Sequence, residues 1–130
     1  MNHYVGDAHA LFWYLTASPR LGPAAAAAFA EADAGTARIH VPAIVLAELF
    51  YLNEKLKRPV DYHDTYRRLS AAPQFVLHAL WPEDVSDFET DAAVPEMHDR
   101  IIVGLARRLA CPCITKDQSI TSSELVTVVW

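Results

Sequence analysis

Asn2-His3-Tyr4-Val5-Gly6-Asp7-Ala8-His9-Ala10-Leu11-Phe12-Trp13-Tyr14-Leu15-Thr16 is the stretch whose reading decides the fold. Residues 2–6 are too few for a helix and read as a buried strand that ends at Asp7. Ala8 to Thr16 follow at once with apolar residues almost all round, the pattern of a buried helix. A buried strand that feeds an acid and then a buried helix is the opening unit of an α/β fold.

Working outward, the same alternation recurs. Pro19 stops the first helix, and Gly22 to Ala34, with five consecutive alanines, has high helix propensity and ends at Gly35, a C′ residue. Arg38 to Val41 reads as a second strand, and Pro42 suits the first turn of the next helix. That helix, Ala43 to Lys57, buries Ile44, Val45, Leu49 and Leu52 and stops before Pro59. Asp61 caps a fourth helix through Leu69 or a little beyond. Phe75 to Leu80 is strand-like, and Pro82, Glu83 and Asp84 open a further helix. Met97 to Ala110 carries Ile101, Ile102, Leu105, Ala106 and Leu109 at the 3.6-residue period, with Arg107 and Arg108 at the end where the helix dipole favours cations. Cys113 to Thr115 and Val126 to Val129 are the last strands. The expectation is an α/β, three-layer α/β/α sandwich with a mainly parallel central sheet, one domain over residues 1–130. Ligands in such folds collect outside the C-terminal ends of the strands.

Composition narrows the function. The 130 residues are 52% hydrophobic, enough for a sizeable core, which excludes wholesale disorder. Sixteen acidic residues against 11 basic ones leave a net charge of −5, which argues against coating nucleic acid by bulk charge. Cys111 and Cys113 are one residue apart, a spacing that strains a disulfide and is too small a set for zinc, so reduced thiols are expected. No Arg or Lys precedes Arg20 and no apolar run reaches the ~18 residues of a membrane span, so the expected location is cytoplasmic. The six histidines show no HExxH spacing, and no GxGxxG or P-loop motif is present.

Four carboxylates fall at the predicted C-terminal edge of the sheet. Asp7 ends the first strand, Asp117 follows the strand Cys113–Thr115, and Asp99 lies in the first turn of a helix that starts on that edge. Glu48 sits about two turns into an otherwise apolar helix. Structural roles are open to three of them: Asp7 as a cap, Asp99 as a dipole-stabilising residue, Asp117 as a turn former. Glu48 is costly to bury unless paired or on a metal. Four acids in one cleft repel, and a divalent cation relieves that repulsion; oxygen ligands select Mg²⁺ or Mn²⁺ over zinc. Without these four acids the net charge falls from −5 to −1.

Four segments carry a resemblance: Gly6-Asp7-Ala8-His9-Ala10-Leu11-Phe12-Trp13-Tyr14-Leu15, Pro42-Ala43-Ile44-Val45-Leu46-Ala47-Glu48-Leu49, Pro95 to Ala106, and Thr115-Lys116-Asp117-Gln118-Ser119-Ile120. Together they resemble a PIN-domain ribonuclease, specifically the VapC-like toxin of a bacterial toxin–antitoxin pair, over essentially the whole length. The resemblance implies metal-binding roles for Asp7, Glu48, Asp99 and Asp117 and a supporting hydroxyl at Thr115. One departure is Gly6, where an apolar residue is more usual. It further implies an endoribonuclease that hydrolyses RNA with one or two Mg²⁺ or Mn²⁺ ions, a cognate antitoxin that blocks the acidic site, and a homodimer. Helices bearing Leu11, Phe12, Trp13, Leu49, Phe50 and Leu52 are candidate surfaces for both partners. Arg100 and Lys116 neighbour candidate ligands and are placed to hold the RNA backbone; Lys55, Lys57, Arg58, Arg67 and Arg68 form a second basic group. The alternative is a catalytically silent PIN fold that binds RNA or a partner. A receiver-like domain would pair acids at the first strand end, and a phosphohydrolase would show DxD; Asp7-Ala8-His9 does neither.

Overall fold

The computed structural model describes residues 1–130. Its elements run β1 (Asn2–Gly6), α1 (Ala8–Leu15), α2 (Pro23–Asp33), β2 (Ala37–Pro42), α3 (Ala43–Lys55), α4 (Tyr62–Ala71), β3 (Phe75–His78), α5 (Pro82–Ser86), α6 (Met97–Arg108), β4 (Cys113–Ile114), α7 (Gln118–Ser123) and β5 (Val128–Val129). The five strands form one sheet in the order β3-β2-β1-β4-β5. Every pairing in it is parallel.

Right-handed crossovers then dictate the layers. Moving from β1 to β2 to β3 lays α2 and α4 on one face, where α2 packs on β2 and α4 on β3. The return to β4 lays α6 on the other face, against β1, β2 and β4. The strand order reverses between β1 and β4, so the loops after these two strands diverge and leave a crevice at their C-terminal ends.

The first face is apolar. Ile39 pairs with Tyr4 and Phe75 in register, and Leu11, Phe29 and Val45 close over it with no more than 1% exposure. Gly6 sits close to its neighbour: a Cβ would lie 3.3 Å from the Ile39 Cγ2 atom, so a larger residue needs that side chain to give by a few tenths of an ångström.

Several boundaries differ from expectation. The third helix ends at Lys55 rather than Lys57: Leu56 is its C-cap, and Lys57 and Arg58 take positive φ (64° and 60°), the left-handed backbone on which helices terminate. The third strand stops at His78, and Leu80 is 43% exposed, because the chain turns out to place Pro82 at the start of α5. The helix over 97–110 ends at Arg108; Leu109 caps it and is 38% exposed, outside the buried stripe. Pro42 is the N-cap of α3, one position before the first turn. In that helix Val45, Leu49 and Asn53 are buried, while Ile44 and Leu52 pack at its margin. Leu11, Phe12, Trp13 and Leu49 lie in the core, which leaves Phe50, and Leu52 in part, of the expected partner surface. Helix α7 has no counterpart in the sequence reading: its one buried side chain is Ile120, too little for a periodic signal.

Candidate active site

The crevice between β1 and β4 is a cleft of about 490 Å³ lined by Asp7, His9, Glu48, Glu96, His98, Asp99, Lys116 and Asp117 among others. All four acids singled out from the sequence therefore reach one cleft, from four separate elements. Thr115 lies beneath it, fully buried at the end of β4.

Local folding aims each group. Asp7 is the N-cap of α1, its Oδ1 accepting from the Ala10 amide at 2.8 Å. Its Oδ2 accepts a short hydrogen bond from the Thr115 hydroxyl. Thr115 Oγ1 in turn accepts from the Asp117 amide at 3.0 Å. Asp117 caps α7 through Oδ1, which accepts from Ile120 N at 3.0 Å and from the Ser119 hydroxyl at 2.7 Å. Capping and cleft-lining are thus one arrangement in Asp7 and Asp117, since the cap fixes the carboxylate's direction. Asp99 is not a cap. Glu96 holds that position, its Oε2 accepting from the Asp99 amide at 2.8 Å, and its Oε1 lies 3.2 Å from His98 Nδ1.

Glu48 stands apart. Its Oε1 is buried and has no hydrogen-bond partner, the one such side-chain atom in the protein. Leaving a carboxylate oxygen so is expensive, and a positive ligand or a proton would relieve the cost. The electrostatics agree. Burial pushes the Glu48 carboxyl up against the pull of His98, with Asp99, Glu96 and Asp7 adding to the rise. Burial, then Asp117, Glu96 and Asp7, push Asp99 up to about 6. Burial also raises Asp7, against the hydrogen bonds from Thr115 and Ala10. Glu96 alone moves down: burial opposes it, but the amides of Asp99 and His98 hold its ionised form.

As they stand, no three His, Cys, Asp or Glu side chains are drawn together closely enough to hold one ion. The donor set nonetheless fits a hard divalent cation: it is all carboxylate, mutually repelling, and includes one orphaned buried oxygen. Asp7, Glu48, Asp99 and Asp117 are the groups available to it, with Glu96 at the rim.

The sequence reading missed Glu96 and misjudged Arg100. The Arg100 guanidinium turns away from the cleft and donates to the carbonyls of Val94 (2.7 Å) and Phe88 (3.3 Å), holding the loop ahead of α6. That loop is also tied by Asp91, 1% exposed, which accepts from Arg107 at 2.8 and 3.1 Å. Of the second basic group, Arg58 pairs with Glu54, and Arg67 and Arg68 pair with Asp64. A separate groove of about 390 Å³ beside α4 contains Asp61, Asp64 and Arg68, whose charges are already met by a cap and ion pairs.

The PIN-domain profile matches residues 4–122. The chain belongs to the PIN-domain family. VapBC2 from Rickettsia felis, solved bound to a DNA fragment from their promoter, superposes with a TM-score of 0.65 at 11% identity, over 97% of this chain and 96% of that one. FitAcB from Neisseria gonorrhoeae also gives 0.65, at 14% identity, over 96% of this PIN domain and 95% of that chain. At such identities the likeness is one of fold. No curated protein matches the chain in sequence. No helix is long and apolar enough to cross a membrane.

Proposed function

We propose that this PIN domain is a metal-dependent endoribonuclease, the VapC-like toxin of a toxin–antitoxin pair. The observation that carries the reading is the buried, partnerless Glu48 oxygen in a cleft shared with Asp7, Asp99 and Asp117. Asp7, Asp99 and Asp117 would hold one or two Mg²⁺ or Mn²⁺ ions, with Glu48 acting directly or through water. Bound there, such ions supply positive charge for phosphodiester oxygens and make water more acidic. Asp7 keeps its direction through the Ala10 amide and the Thr115 hydroxyl, so it needs little rearrangement to act as a ligand. Glu48, which reaches the cleft from α3, would accept a proton from water that attacks phosphorus.

The VapC resemblance extends the proposal to a cognate antitoxin that covers the acidic cleft and to a homodimer. Phe50 and Tyr51 on α3, 38% and 72% exposed, are available to such partners.

The test is incubation of the purified protein with RNA and Mn²⁺, with and without chelator. Cleavage that chelator stops supports the nuclease. Chelator-insensitive RNA binding without cleavage supports the silent PIN fold.

A further inference from the structure

Lys116 occupies an unusual position for a cation. It lines the cleft with Asp7, Glu48, Glu96, Asp99 and Asp117, yet forms an ion pair with none of them. Its Nζ lies instead 4.6 Å from the centroid of the Trp13 ring. An ammonium among carboxylates would collapse onto the nearest one unless its stem were directed elsewhere. The direction comes from the backbone: Lys116 sits between Thr115 and Asp117, both tied into the network around Asp7.

The indole beneath it is fixed. Trp13 is 7% exposed and packs edge-on against His9 at 5.5 Å and against Trp130 at 5.7 Å. Trp130 is itself held, its carbonyl accepting from the Ala24 amide at 3.1 Å. Gly22 leaves the space, since a Cβ there would lie 2.6 Å from Trp130. The other basic side chains are spent or remote. Arg58, Arg67, Arg68, Arg107 and Arg108 are ion-paired, and Arg100 is bonded to backbone carbonyls. Of the cleft's other basic groups, His98 faces Glu96 and His9 is packed on the same indole. Lys116 is the permanent charge in the cleft with no anionic partner.

We propose that Lys116, seated on the Trp13 ring, is a positioning residue that takes a phosphate of a single-stranded nucleic acid beside the acidic centre. The inference rests on the proposed nuclease reading but goes beyond it, by assigning a phosphate of the substrate's backbone to the Trp13 side of the cleft, next to the proposed cation ligands Asp7 and Asp117. Holding the ammonium over a ring while it keeps most of its hydration and its charge lowers the ordering cost of meeting a phosphate. The contact is to backbone, so it carries no base preference.

The test has two arms. In the first, binding of a fluorescent single-stranded DNA oligonucleotide, which carries the phosphates but not the ribose, is followed by anisotropy at several salt concentrations. Lys116→Ala weakens binding about 10-fold at low salt and lowers the slope of log affinity against log salt by about 0.7, one phosphate contact on a single strand. Lys116→Arg and Trp13→Phe, which keep the charge and an aromatic face, retain most of the affinity. In the second arm, RNA cleavage in Mn²⁺ shows a raised KM and an unchanged kcat for Lys116→Ala. Unchanged affinity and slope in Lys116→Ala, or failure of Lys116→Arg to restore a loss, overturns the assignment. Wild-type protein that binds the oligonucleotide through Lys116 but never cleaves RNA counts against the nuclease reading alone.

Discussion

The acidic cleft and the middle of the sheet each gather titratable side chains, and they treat them in opposite ways. Across β1, β2 and β3 three histidines form a row: His3 Nδ1 lies 3.0 Å from His40 Nε2, and His40 Nδ1 lies 2.7 Å from His78 Nε2. Each contact between nitrogens needs one hydrogen, and three neutral rings supply enough for both, with one left for an outer nitrogen. The row satisfies itself. The cleft does not: its carboxylates have no hydrogens to share, Glu48 keeps an unpartnered oxygen, and burial drives Glu48, Asp99 and Asp7 upward. Self-satisfied polar groups build structure, and groups left in deficit mark where something else must bind.

The strongest way to break that contrast is Asp7→Asn. The amide keeps an oxygen for the Ala10 cap but removes the charge, so RNA cleavage falls to background while the thermal melt stays close to wild type. Retained cleavage would remove Asp7 from the proposed centre. Thr115→Val comes next. It frees the Asp7 carboxylate and strips the Asp117 amide of its acceptor, and Mn²⁺ affinity measured by calorimetry drops about 10–100-fold.

Smaller again is the effect of cation on stability. Mn²⁺ at about 100 times its Kd stabilises the fold by about 2.7 kcal/mol, read as a rise in Tm that chelator reverses. The same addition leaves the melt of Asp7→Asn nearly unmoved.

The smallest expected effect lies in the histidine row. Burial first, then His78 and His3, hold His40 down to about 4 from an ordinary 6.5. His78 is also lowered, by burial and by Arg108 on α6, against Asp84 on α5. The unfolded chain therefore takes up protons before the folded one does. Stability is full above about pH 6.5 and is lost as pH falls toward 4. His40→Gln flattens that slope in urea titrations between these pH values; an unchanged slope would show that the row does not titrate as a unit.

How much of this was legible follows from the kind of information each feature needs. Asp7, Glu48, Asp99 and Asp117 were accessible because each sits at a strand end, at a helix start or inside an apolar run, where a carboxylate has an evident cost. Glu96 was hidden between Pro95 and Met97, since nothing local marks it as the cap that orients Asp99. The direction of Arg100 depends on carbonyls of a loop that has no periodicity. The histidine row is invisible to a linear reading, because it depends on the register Val5↔His40 and Pro42↔His78 between strands. The surplus of acids over bases was legible as a number; the cleft holds five of the acids, one more than the sequence assigned to it.

The central claim is that the cleft's unmet charge is a divalent-cation site, and Mn²⁺ titration by calorimetry tests it most directly. Saturable binding to the wild-type chain, lost in Asp7→Asn and accompanied by proton release from carboxyls that burial had raised, is the predicted result. No saturable binding in the wild-type chain, or equal binding in Asp7→Asn, would contradict it.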